Sequence, residues 1–141
     1  MNRIFALLIA SIISALVARA GDVQVEATLA TSPKGESVTT APPDTPKLFA
    51  LFKTKGAQNG DKLRGVLIAE DVGDVAPANT TVLEKTLTLD GDTDDGDFSF
   101  SKPTKGWPVG RYRIEIYVND ELTNTLDFTI KAGKSDDNSD E

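Results

Sequence analysis

The chain has 141 residues, with 15 Lys and Arg against 22 Asp and Glu, and it contains neither histidine nor cysteine. Without them there is no Ser-His-Asp or Cys-His nucleophile and no ordinary ligand for zinc, copper or haem, so only hard oxygen ligands remain for a metal. The acidic balance, with no Lys/Arg run interleaved with aromatics, disfavours phosphate backbones and anionic lipid heads, which sets nucleic acid and membrane partners aside.

The first element is an export signal. Met1-Asn2-Arg3 precedes an apolar run from Ile4 to Val17 and a small-x-small cleavage site, Ala18-Arg19-Ala20. A membrane-spanning helix would need about 20 apolar residues, more than this run offers. Cleavage is expected to leave Gly21 as the mature N-terminus, in a secreted or periplasmic protein. Loss of Arg3 and Arg19 leaves 13 basic against 22 acidic residues, a net charge of −9. With no cysteine, lipid attachment at the cleavage point and disulfide stapling are both closed, and one domain must be stable through its core alone.

Residues 21–44 are thin in large apolar side chains. Val23, Val25 and Ala27 alternate, which fits either an edge strand or an extended lead; Ser32-Pro33-Lys34-Gly35 reads as a turn and Ala41-Pro42-Pro43 as a stiff linker. Lys47 to Thr54 is apolar on both faces, as in a central strand, and the turn from Lys55 to Asp61 ends it. Lys62 to Glu70 is a second strand and Val72 to Asn79 a loop. Thr80 to Leu89 alternates, with Thr81, Leu83, Lys85, Leu87 and Leu89 on one side, and predicts a half-buried strand. Phe98 and Phe100 repeat the alternation until Lys102 to Pro108 breaks it. Arg111 to Val118 has a core face of Tyr112, Ile114, Ile116 and Val118 and a wet face of Arg111, Arg113, Glu115 and Tyr117. Asn119-Asp120 is the expected hairpin tip, and the return strand points Leu126, Phe128 and Ile130 inward. Residues 133–141, with Asp136, Asp137, Asp140 and Glu141, predict a disordered acidic tail.

Six or seven short strands, turns rich in Gly, Pro, Asn and Asp, and no amphipathic helix after the signal predict an all-β, antiparallel sandwich over residues 45–132, with a small closed barrel as the alternative. Around Pro108-Val109-Gly110-Arg111-Tyr112 the chain resembles the late strands of immunoglobulin-like and fibronectin type III-like modules of bacterial secreted proteins. The resemblance implies an immunoglobulin-like β-sandwich of about seven strands. It also implies that Tyr112 is a tyrosine corner, its hydroxyl bonded back to nearby backbone, with Gly110 supplying the preceding turn. Antibody-type cysteines are missing, and the scaffold hosts many unrelated roles.

Paired carboxylates at Glu70-Asp71 and Asp90-Asp92, together with Glu115, lie on a scaffold too small for a long sugar cleft, so no catalytic residue is expected. The densest constellation is Asp90-Gly91-Asp92-Thr93-Asp94-Asp95-Gly96-Asp97. Asp90, Asp92 and Asp94 match the first, third and fifth positions of an EF-hand-type loop, so Asp90, Asp92, Asp94 and Asp97 are candidate ligands of a weakly bound Ca²⁺. Asp95 stands where glycine is expected and Ser101 where the closing glutamate should be, which favours an acidic hairpin loop instead. Trp107 with Arg111 and Arg113 has the composition of a recognition patch, although an indole in a Gly-Trp-Pro turn more often caps a sandwich core. Asn79-Thr80-Thr81 has the form of a glycosylation sequon, meaningful only in a eukaryotic source. The function expected is a non-enzymatic module binding a protein or envelope partner. The alternatives are a calcium-stabilised structural domain and a secreted hydrolase inhibitor.

Overall fold

Alternating apolar residues, β-branched runs and tight turns produce strands throughout the computed structural model, which describes residues 23–91 and 93–132. In chain order they are β1 (Gln24–Ala30), β2 (Thr40–Ala41), β3 (Lys47–Lys55), β4 (Lys62–Asp71), β5 (Thr80–Thr88), β6 (Thr93–Ser101), β7 (Gly110–Val118) and β8 (Glu121–Ile130), with one 3-10 turn at Gly73–Val75. They form a three-stranded sheet, β1-β3-β6, and a five-stranded sheet, β2-β8-β7-β4-β5. All pairings are antiparallel except the two-residue β2 beside β8. This is an all-β immunoglobulin-like sandwich with two open sheets rather than a closed barrel. The signal segment, the mature N-terminus at Gly21, Asp92 and the acidic tail lie outside the described residues.

The core sits between the sheets and follows the period-two pattern. Leu48, Phe98 and Phe100 from one sheet meet Leu63, Leu67, Ile114, Ile116 and Ile130 from the other, and all are essentially sealed from water. Phe52 and Phe98 pack with ring centroids 5.4 Å apart. Gly65 makes this possible, because a Cβ there would come within 2.9 Å of the Phe98 ring. The β7–β8 hairpin turns at Asn119 and Asp120, both with positive φ (49° and 72°), which matches the right-handed strand twist. Asn119 also ties the tip to β4, its side-chain oxygen accepting from the Lys62 N–H at 2.9 Å while its amide donates to Asp61.

Three segments differ from the sequence reading. Between the two readings of residues 21–44, the strand prevails: β1 pairs along its whole length with β3, so the sandwich begins well before residue 45. β5 is not half-buried. It is the outermost strand of the five-stranded sheet, Leu83 and Leu87 are each 38% exposed, and only Leu89, just beyond its end, is buried. The segment read as an acidic hairpin loop is not a hairpin, since β5 and β6 belong to different sheets, and from Thr93 onward it is strand.

Candidate functional site

One end of the sandwich is built from the turn after β4 and the loop before β7. The β6–β7 loop is fastened to the chain before β3. Trp107 donates its backbone N–H to the Pro43 carbonyl and its indole Nε1–H to the Thr45 carbonyl, both at 2.9 Å. The Thr45 hydroxyl bonds in turn to the Pro42 carbonyl at 2.7 Å. Trp107 is 2% exposed, which places it in the core rather than on a recognition surface, and its ring meets Tyr112 edge-on at 6.4 Å.

Tyr112 is the corner that the resemblance implies. Its ring is buried and stacks on Phe128 at 5.3 Å, and its hydroxyl donates to the Pro108 carbonyl four residues upstream. Burial pushes its phenol up to about 12. Gly110, with φ 153°, is required beside it, since a Cβ would fall 2.2 Å from the Asp71 carbonyl oxygen.

The opposing wall is pinned as well. The Gly73 N–H donates to Asp71 Oδ1 at 3.2 Å, Val75 N–H to the Val72 carbonyl at 3.3 Å, and the Thr80 hydroxyl to the Pro77 carbonyl at 2.6 Å. Between the walls lies a cleft of about 410 Å³, with Trp107 and Tyr112 in its floor. Val72, Val75, Ala76 and Val82 line one side and Pro103 to Pro108 the other. Val75 is 68% exposed at the rim, and Thr80, Thr104 and Lys105 supply the few polar side chains. The lining is apolar apart from these few groups, and no Asp or Glu is among its residues.

The remaining sequence candidates are scattered. Arg111 is 63% exposed and reaches Glu70 at 3.6 Å and Asp71 at 3.4 Å. Arg113 is spent in a surface network: its Nε donates to Glu115 at 2.8 Å, and one Nη donates to Glu70 at 3.1 Å and to Asn79 Oδ1 at 3.0 Å. Tyr117 donates to the other Glu115 oxygen at 2.6 Å, and the Arg64 guanidinium stacks 4.3 Å over the Tyr117 ring. The Tyr117 hydroxyl and Arg113 together hold the Glu115 carboxyl below the usual carboxylate range, while the bond to Glu115 raises Tyr117 and Arg113. Val66 and Ile68, on the outward side of β4 and in register with Glu115 and Arg113, stay buried.

Of the calcium candidates, Asp90 follows Leu89 and is exposed; Asp94 and Asp97 are strand residues of β6, opposite Thr54 and Leu51 of β3. Among the described residues no group of three or more Asp or Glu side chains converges to hold a metal ion. Asp95 and Asp97 instead border a groove of about 500 Å³ on the outer face of the three-stranded sheet, with Leu51 beneath. Lys53 there lies between Glu26 and Asp95 in register, so its charges largely offset one another.

No family model matches the chain, and no curated protein matches it in sequence. Among solved structures it is similar to part of an alkylpurine DNA glycosylase from Pseudomonas fluorescens bound to DNA with an abasic site analog. There the TM-score is 0.52 and the identity 14%, over 79% of this chain and 31% of that one. A β-glucosidase from Listeria innocua in complex with gluconolactone gives a TM-score of 0.53 at 9% identity, over 79% of this chain and 16% of the enzyme. An immunoglobulin-like protein from Pseudomonas aeruginosa gives 0.49 at 18% identity, over 77% of this chain and 96% of that protein. The chain thus spans less than a third of either enzyme, and likeness at such identities is likeness of fold alone.

Proposed function

We propose that the protein is an exported, non-catalytic binding module that takes an apolar side chain or short apolar segment of an envelope or extracellular protein into the cleft between the β4–β5 turn and the β6–β7 loop. The observation that carries this reading is the cleft itself: a preformed concavity, fastened on both sides by backbone hydrogen bonds and apolar almost throughout. Loops at the end of a rigid sandwich are where such scaffolds place recognition. Export rests on the three-part N-terminal segment. The lack of a catalytic role rests on the missing histidine and cysteine and on carboxylates engaged in surface pairing.

The test is affinity capture from extracellular or periplasmic extract with the chain from Gly21 onward as bait, beside a Val75→Asp variant. Val75 is exposed and packs little, so the variant should keep its melting temperature while placing a charge at the cleft's rim. A partner retained by the wild type and lost by Val75→Asp is the expected result. Equal retention by both moves recognition away from the cleft.

A further inference from the structure

Among the described residues the two sheets have four outer strands, and three of them are short or engaged by a side chain of another strand. β2 is two residues long. β1 is stitched to β8, where Asn124 donates its side-chain amide to the Val25 carbonyl at 3.1 Å. On β6 the Ser99 carbonyl is occupied by the Lys85 ammonium, which also lies 5.8 Å from the Phe100 ring centroid. β5 is left open: its nine residues pair on one side only, with β4, and among the described residues no other strand pairs with its outer edge. An uncovered edge of that length is a ready template for another strand.

β5 also overhangs. Leu83, Lys85 and Leu87 stand opposite Leu67, Gly65 and Leu63 of β4 on the core-facing side, but the sheet beneath ends at β6, so both leucines remain exposed. The one irregularity in the β4–β5 ladder lies near Val82, which leaves Leu83 to Thr88 regular. Lysine commonly defends an edge by projecting past it, but Lys85 stays on the inner face, where one of its three N–H donors goes to the Ser99 carbonyl and its charge remains for an acceptor on that face.

We infer that the free edge of β5 receives an extended segment of another protein. The segment extends the five-stranded sheet, its alternate residues reading apolar, acidic, apolar: the acid opposite Lys85 and the apolar side chains opposite Leu83 and Leu87. Charge selects the acid, because Lys85 is the only charged group on that face of β5. Charge also argues against a second copy of this chain as the occupant. The register that sets the leucines of two copies against each other places Lys85 directly against Lys85.

The probe is the end-blocked peptide Thr-Val-Thr-Glu-Thr-Val-Thr, whose pattern reads the same in both directions and so fits a parallel or an antiparallel partner. Titrated by calorimetry into the chain from Gly21 onward, it should bind saturably, and its counterpart with Lys in place of Glu should bind about fivefold more weakly. Lys85→Glu should invert that preference, a gain that a misfolded variant would not show. Val75→Asp should bind the peptide as the wild type does, which separates this edge from the cleft proposed above. Absence of saturation at millimolar peptide, or equal affinity for the two peptides, overturns the inference. So does sedimentation showing that the protein self-associates and excludes the peptide, since a second copy then holds the edge.

Discussion

Tyr112→Phe removes one oxygen and leaves the ring where it is, so it isolates the corner hydrogen bond from the packing around it. The ring's contacts with Trp107 and Phe128 should survive, and the loss falls on the bond to the Pro108 carbonyl. A buried acceptor stripped of its donor costs about 1–3 kcal/mol. Pro108 is only half-buried, so water partly replaces the hydroxyl, and a cost near the lower end, about 1–1.5 kcal/mol, is expected. In a domain of this size that is a fall in melting temperature of about 4–8 °C, with an unchanged denaturant m-value.

The same residue gives an alkaline signature. Its pKa is about 12 in the folded protein against an ordinary 10, so the stability tied to the neutral phenol is complete below pH 10 and is lost as pH rises toward 12. The chain has two tyrosines, and tyrosinate absorbance should show Tyr112 ionising late, in step with unfolding, with that step missing from Tyr112→Phe. A variant with the wild-type denaturant midpoint and the wild-type alkaline limb would refute the corner as a stabilising device.

Other expectations follow from the same geometry. Gly110→Ala should lose about 3 kcal/mol or more or fail to fold, because its Cβ meets the Asp71 carbonyl oxygen; thermal unfolding decides it. The Glu115 carboxyl lies below its ordinary 4.5 when folded, so its contribution is present above that pH and lost as pH falls. Glu115→Gln should therefore show a shallower acid limb in unfolding curves taken from pH 6 to pH 2. With Asp94 and Asp97 in a strand rather than a loop, Ca²⁺ and Mg²⁺ at equal ionic strength should stabilise the protein equally by screening. A saturable heat specific to Ca²⁺, abolished by Asp92→Asn, would contradict this.

Much of the fold is legible in the sequence because burial on one face of a sheet imposes a period of two. Tyr112, Ile114, Ile116 and Val118 alternate with polar residues and lie in the core as that spacing requires. β5 shows the limit. Its alternation is as regular, yet a strand's own pattern does not say whether the opposite sheet reaches far enough to cover it, and here that sheet stops at β6. The acidic segment failed for a related reason: Asp and Gly are poor strand formers in isolation, but pairing with β3 from Lys55 to Lys47 overrides that preference. Trp107 was readable as a core cap from its Gly-Trp-Pro setting. The cleft above it is not, since Val72, Val75 and Val82 come together with Pro103 and Pro108 only because the β4–β5 turn and the start of β5 meet the β6–β7 loop, which is distant in sequence.

The most direct test of the binding proposal is photo-crosslinking in the source cells, with a benzophenone amino acid at position 75 and, as a control, at position 47. Position 75 stands at the cleft's rim, whereas Lys47 is an exposed residue at the start of β3 in the other sheet. A discrete crosslinked species in the exported fraction from position 75, absent from position 47, is the predicted result. No adduct from position 75, or the same adducts from both positions, would contradict recognition through the cleft.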